Sequence, residues 1–131
     1  MQTKCALLFL YNQHKISPQP YYAENLGIQY IAAVLKNASF DVQIINADYQ
    51  RMGSETIVKQ LFGENVGFLG MAPCYLNMGN ALGIAEMMKK KSPSISVCLG
   101  GHHATFCCEE ILKNEPNIDY IVKGEGEFTA L

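Results

Sequence analysis

The chain has 131 residues, 49% of them hydrophobic and 17% charged, a balance that supports one packed core and excludes both a second core and wholesale disorder. A formal net charge of −2 gives no basic footprint for nucleic acid, and no apolar run is long enough to span a bilayer. Met1-Gln-Thr-Lys-Cys5 leads into an apolar run without a cleavage-site pattern, so the cytoplasm is the expected compartment.

Lys4 to Leu10 is continuously apolar and predicts a central strand covered on both faces. The polar stretch from Tyr11 to Tyr22 carries His14, Pro18 and Pro20, and the prolines defer any helix to Ala23 or later. A helix is expected from about Glu24 to Asn37. Its apolar residues fall on two stripes, one with Ile28, Ile31, Ala32 and Leu35 and one with Tyr30, Ala33 and Val34, which predicts burial over much of its circumference. Phe40 to Ile45 alternates in the manner of an edge strand, and Ile57, Val58, Leu61 and Phe62 recur at helical spacing after a turn at Gly53. Val66 to Ala72 reads as the third strand, interrupted by Gly67 and Gly70. Each glycine costs a strand interior roughly 0.5–1 kcal/mol relative to alanine, so a bulge, tight helix packing, a second backbone or a flat ligand is expected against that surface.

After Pro73 and Cys74, a helix places Met78, Ala81, Leu82, Ala85 and Met88 on one face and ends at Lys89-Lys90-Lys91, favourable charges for a helix carboxyl end. The fourth strand begins near Ser94 and stops on Gly100-Gly101. These glycines either make a tight turn or let something large approach the backbone. A helix bearing Cys107, Cys108, Ile111 and Leu112 follows, with Cys107 and Cys108 expected on its buried face, then a turn over 114–117 and a fifth strand from Ile118 to Lys123. Gly124-Glu-Gly-Glu127 opens one more helix, truncated by the chain's end, so residues 1–131 are expected to be the amino-terminal domain of a longer protein. The five cysteines show no Cys-x-x-Cys spacing, and reduced, mostly buried thiols are expected, with no iron–sulfur ligand set in this chain.

Strands alternating with helices specify an α/β fold: a doubly wound five-stranded parallel sheet, flavodoxin-like (Rossmann-like), in the order 2-1-3-4-5 with the last helix truncated. The loops after strands one, three, four and five then share one rim, which collects His14, Gly70 to Tyr75, Gly100 to Thr105 and Gly124 to Glu127. A nicotinamide-binding loop would need Gly-x-Gly-x-x-Gly after the first strand, where residues 11–22 hold no glycine. A phospho-acceptor site would need an aspartate after the third strand and acids after the first, where Met71-Ala72 and Tyr11-Asn12 stand instead.

Leu26-Gly-Ile-Gln-Tyr-Ile-Ala-Ala-Val-Leu35, Gly100-Gly-His-His-Ala-Thr105 and Gly124-Glu-Gly-Glu127, taken with this order of elements, resemble the cobalamin-binding domain that precedes the catalytic barrel in cobalamin-dependent radical S-adenosylmethionine enzymes, which include anaerobic magnesium-protoporphyrin IX monomethyl ester cyclases. The wider cobalamin-binding family carries Asp-x-His-x-x-Gly after the first strand, Ser-x-Leu on the third and Gly-Gly on the fourth. Here the first mark is degraded to Asn12-Gln-His-Lys-Ile-Ser17 and the second to Leu69-Gly-Met71, while Gly100-Gly101 is intact. The resemblance implies cobalamin as cofactor, bound by Leu69, Gly70, Met71, Ala72, Cys74, Tyr75, Gly100, Gly101, His102, His103, Gly124, Glu125 and Gly126. The slot left by Gly67, Gly70, Gly100 and Gly101 would take the nucleotide tail. His14 would be the lower cobalt ligand, or an ordinary loop histidine, and Asn12 lacks the charge that would raise its basicity. His102 and His103 would touch the corrin or cap the next helix, and Glu125 and Glu127 would accept hydrogen bonds from the ligand or favour a helix dipole. The resemblance further implies a carboxyl-terminal partner domain in cis that holds S-adenosylmethionine and a 4Fe-4S cluster, serving methyl transfer or related radical chemistry; this portion alone would be silent. A stand-alone corrinoid carrier and a ligand-free flavodoxin-like interaction module are the alternatives.

Overall fold

In a computed structural model, residues 3–10, 26–126 and 129 are described. Five parallel strands, β1 (Lys4–Phe9), β2 (Asp41–Asn46), β3 (Phe68–Met71), β4 (Ser96–Leu99) and β5 (Tyr120–Ile121), form one sheet in the order β2-β1-β3-β4-β5. The helices between them are α1 (Leu26–Asn37), α2 (Ala47–Gln50), α3 (Ser54–Gly63), α4 (Met78–Lys91), α5 (Gly101–Phe106) and α6 (Cys108–Asn114). The expected topology is therefore the observed one, with a one-turn helix, α2, that periodicity did not indicate. Among the described residues, no helix is long and apolar enough to cross a membrane.

The sheet divides the core into two unequal parts. Beneath it, Ala6, Leu8, Leu69, Val97 and Leu99 meet Ile57, Val58 and Leu61 of α3 and Ala81, Ile84, Ala85 and Met88 of α4. Full burial of each such leucine, isoleucine or methionine side chain contributes about 1.5–3 kcal/mol, so this is the stronger half. On the other face, Cys5, Leu7 and Val42 meet Ile28, Ala32 and Leu35 of α1. Alternation along the strands separates the two sets, as in Leu7 above and Leu8 below.

Several expectations change. Only one stripe of α1 is buried: Tyr30 is 67% exposed and Leu26 70%, because among the described residues α1 packs its Ile28, Ala32 and Leu35 side against the sheet and no other helix covers its back. The helix expected around Cys107 and Cys108 is two helices, broken where Cys107 caps both. With Ala104 and Ile111 aimed at the core, Cys107 and Cys108 are half-buried and Leu112, about 100° further round, is exposed. β5 is only two residues long, although backbone bonds from Asp119 N to Val97 O (3.0 Å) and from Val122 N to Leu99 O (2.9 Å) prolong the pairing. The start of the first helix near Glu24, the prolines at 18 and 20, His14 and the helix expected to follow Gly124-Glu-Gly-Glu127 lie outside the described residues.

At the amino ends of β4 and β5, Asp119 Oδ2 accepts hydrogen bonds from Val97 N (2.8 Å) and Lys89 Nζ (2.7 Å), and Lys89 Nζ also donates to Ile95 O (2.6 Å). One carboxylate thus ties α4, β4 and the short β5 together. Asp119→Ala is expected to lower the unfolding free energy by about 1–2 kcal/mol in urea titrations, since charged hydrogen bonds to partly buried groups are lost. Lys90→Ala, which removes only the solvent-exposed pair with Glu86, should leave the midpoint nearly unchanged.

Candidate functional site

In a parallel sheet, residues paired in register share a face, so the α1 side of β3, β4 and β5 can be read row by row. The lower row is Cys5, Phe68 and Ser96; the middle row is Leu7, Gly70, Cys98 and Tyr120. Two residues further along each strand come Ala72, Gly100 and Val122. Among the described residues, the helical side chains in the core on this face come from α1, which lies over β1 and β2. Over β3 to β5 the face is formed by a floor of Gly70, Ala72, Cys98 and Gly100, of which Gly70 and Cys98 are buried. Leu7 stands on one side of it, Phe68 below, and Tyr120, 58% exposed, on the other.

The glycines of this floor are not equivalent. A Cβ on Gly70 would stand 2.7 Å from Leu7 Cδ2, and one on Gly67 would stand 2.9 Å from Thr3 Cγ2. Side chains of the first strand region already use both gaps, so these two glycines do not open the slot expected of them; strand register, invisible in sequence, decides this. A Cβ on Gly100 would meet, among the described residues, only Val122 O at 3.9 Å, an ordinary contact, so a small side chain could be placed there without a clash. Gly101 has φ +90°, which disfavours any other residue, and brings its backbone against Ala72.

The rim is braced by hydrogen bonds that sequence reasoning did not single out. Cys74 N donates to Asn77 Oδ1 (2.8 Å), fixing the turn after β3 around a buried asparagine. An Asn three residues past a loop residue is the local signal for such a turn. Thr105 Oγ1 donates to Gly101 O (2.8 Å) and accepts from Gly124 N (3.1 Å), joining the loops after β4 and β5. The first of these is a bond within α5; the second has no local signal, because the partners are far apart in the chain.

The expected site residues therefore scatter. Ala72, Gly100 and Gly101 come together at the mouth of the floor, and Tyr75 meets His103 edge-on with ring centres 5.7 Å apart. His102, Cys74, Gly124 and Glu125 are exposed around it, and Gly126 is buried against Ile31 of α1 and Val122. Leu69 and Met71 send their side chains into the opposite core, so only their backbone borders this side. His14 lies outside the described residues, and among the described residues no group of three or more His, Cys, Asp or Glu is placed to hold a metal ion. A separate open depression of about 440 Å³, lined by residues 105–110 and Lys123, shares none of the floor residues.

Cys98 gives the floor its chemistry. Burial pushes its thiol up to about 11, and an opposing hydrogen bond from the Val122 backbone does not offset this. It is thus a neutral, apolar surface at physiological pH and not a thiolate. Cys5 is raised in the same direction, first by burial and then by the charge of Asp41. A floor of glycine, alanine and an uncharged thiol, walled by Leu7, Phe68 and Tyr120 and unclashed beside Gly100 among the described residues, suits a flat apolar ring system with a polar end at the rim.

Residues 18–131 match the family model described as B12 binding domain. The chain is 30% identical over 104 residues to an uncharacterized methyltransferase of Pyrococcus horikoshii, covering 79% of this chain and 22% of that protein. It is 33% identical over 108 residues to the anaerobic magnesium-protoporphyrin IX monomethyl ester cyclase of Rubrivivax gelatinosus, covering 79% of this chain and 19% of that one. It thus spans about a fifth of the length of these curated relatives. The radical S-adenosylmethionine methyltransferase TsrM from Kitasatospora setae, solved with cobalamin and a 4Fe-4S cluster bound, superposes with a TM-score of 0.74 at 18% identity, over 97% of this chain and 25% of that one. That likeness shows a shared fold.

The shift at Cys98 has a defined pH signature. Below the ordinary value of 9.0 both folded and unfolded chains hold the proton; above it the unfolded chain releases its proton first. Stability owed to this group is present below pH 9 and lost as pH rises toward 11. Relative to Cys98→Ala, the protein should therefore lose stability across that interval in urea titrations. In thiol labelling at neutral pH, exposed Cys74 should react first and Cys98 among the last.

Proposed function

The chain belongs to the B12-binding domain family, and from that premise we propose that it holds cobalamin with the nucleotide tail laid on the floor of Gly70, Ala72, Cys98 and Gly100 and the corrin over the rim. The observation that carries this reading is the unclashed position beside Gly100 among the described residues, next to Gly70, Ala72 and the uncharged thiol of Cys98. Residues 1–131 would form one cofactor-binding domain.

Each group has a task in this arrangement. Gly101, held at positive φ by its contact with Ala72, keeps the mouth of the slot free of side chains. Asn77 fixes the backbone from Ala72 to Tyr75, and Thr105 fixes the loops at Gly101 and Gly124, so that backbone amides and carbonyls stand ready for the amide side chains of the corrin. Tyr75, His102 and His103 border the corrin edge, with Cys74, Gly124, Glu125 and Gly126 around it; Leu69 and Met71 contribute backbone. Loss of the acidic partner at Asn12 leaves any bond from His14 to cobalt weak. When bound, cobalamin supplies the methyl-carrying or radical-coupled cobalt chemistry, and the domain supplies its position. In the parent protein the cofactor would be presented to a carboxyl-terminal radical S-adenosylmethionine domain holding a 4Fe-4S cluster.

A visible-absorbance titration with hydroxocobalamin, followed by desalting, tests the reading. The protein should retain the cofactor. Gly100→Leu should fold, since a Cβ there meets Val122 O only at ordinary contact distance, and should lose the cofactor because its side chain would enter the proposed slot. His14→Ala should give an unchanged spectrum; a change confined to this variant would assign His14 as the lower ligand. Retention by Gly100→Leu equal to that of the unaltered protein would overturn the placement of the tail, and no retention by the unaltered protein would favour an interaction module without ligand.

A further inference from the structure

We infer that Leu7 is a specificity-determining residue for the cofactor's tail: its side chain, lying across Gly70, sets how large a terminal base the slot admits. The inference rests on the placement of the tail proposed above. Leu7 and Gly70 are paired in register between β1 and β3, and the room that a Cβ on Gly70 would take is filled by Leu7 Cδ2, 2.7 Å from that position. The Phe68 ring edge lies 3.6 Å from the same point. Gly70 is thus closed from two sides, while a Cβ on Gly100 meets only an ordinary contact among the described residues, and the proposed slot would end at Leu7 and Phe68.

Leu7 is held in this position from behind. It is 5% exposed and packed in the core formed with Ile28, Ala32 and Leu35 of α1, so a base that presses on it must displace a packed helix. Shortening Leu7 would extend the slot over Gly70 without touching the rim. Adding a methyl to Gly70 would drive Leu7 out over the floor and shorten the slot. The two positions act as one wall, although neither belongs to the rim loops that would contact the corrin.

The test compares three corrinoids on the purified protein: cobinamide, which has no tail; cobalamin, with a dimethylbenzimidazole base; and a cobamide carrying the bulkier naphthimidazole. Dissociation constants come from visible titration, and thermal melts confirm folding. The unaltered protein should prefer cobalamin to both others. Leu7→Ala should shift the ratio of naphthimidazole cobamide to cobalamin affinity about tenfold toward the bulkier base, with cobinamide unchanged, in line with the cost of methylene groups in a pocket. Leu7→Val, a milder change in the core, should move the same ratio in the same direction if Leu7→Ala does not fold. Gly70→Ala should weaken cobalamin binding about tenfold, and adding Leu7→Ala should restore it. An unchanged ratio in a folded Leu7 variant, with cobalamin still preferred to cobinamide, would overturn the role of Leu7 alone. Equal binding of cobalamin and cobinamide by the unaltered protein, or binding of neither, would overturn the tail's placement and this inference with it.

Discussion

A parallel sheet is apolar on both faces, and each face must be kept from water by something. In this chain the lower face is sealed by α3 and α4 packed on Leu8, Leu69, Val97 and Leu99, and half of the upper face is sealed by α1. Over β3, β4 and β5 the upper face carries glycine, alanine and an un-ionised thiol at its centre and Phe68, Tyr120 and Val122 at its borders, and Gly70 and Cys98 are buried. Small, uncharged groups of this kind favour a flat apolar neighbour. The asymmetry between the two faces is the constraint on which the site, the rim and the inferred role of Leu7 depend.

Rigidity around that surface comes from polar contacts at its two ends. At the amino ends of the strands, Asp119 fixes β5 to β4 and α4 through Val97 and Lys89, giving a two-residue edge strand a defined place. At the carboxyl ends, Asn77 and Thr105 brace the loops after β3, β4 and β5. Loops held in this way can present backbone groups to a ligand without first paying the entropy of ordering them. The site is therefore built from a passive floor and an active rim, and the two are supported by different residues.

The proposed tail slot and corrin rim would also place different demands on sequence. A floor must be small and uncharged, which many residue choices satisfy. A rim must turn sharply next to a ligand, which only a few choices satisfy, and Gly101 with φ +90° is the clearest of them.

Sequence by itself determined the topology, because hydrophobic period and glycine punctuation are local signals: β1 to β5 and their order were legible, as was the turn at Gly100-Gly101. The edge position of β2 was legible too, although its alternation is not kept in the fold, where Val42 and Ile45 are buried on opposite faces and Ile44 is exposed. Tertiary structure alone decided what lies across each strand. Gly70 and Gly100 look alike in the chain, yet register puts Leu7 over the first and only an ordinary contact beside the second among the described residues. Leu69 and Met71 flank Gly70 but face the opposite core, Tyr30 lies on the side of α1 turned away from the sheet, and Thr105 finds Gly124 only through folding. These outcomes depend on contacts between residues distant in the chain, and no periodicity within one segment encodes them.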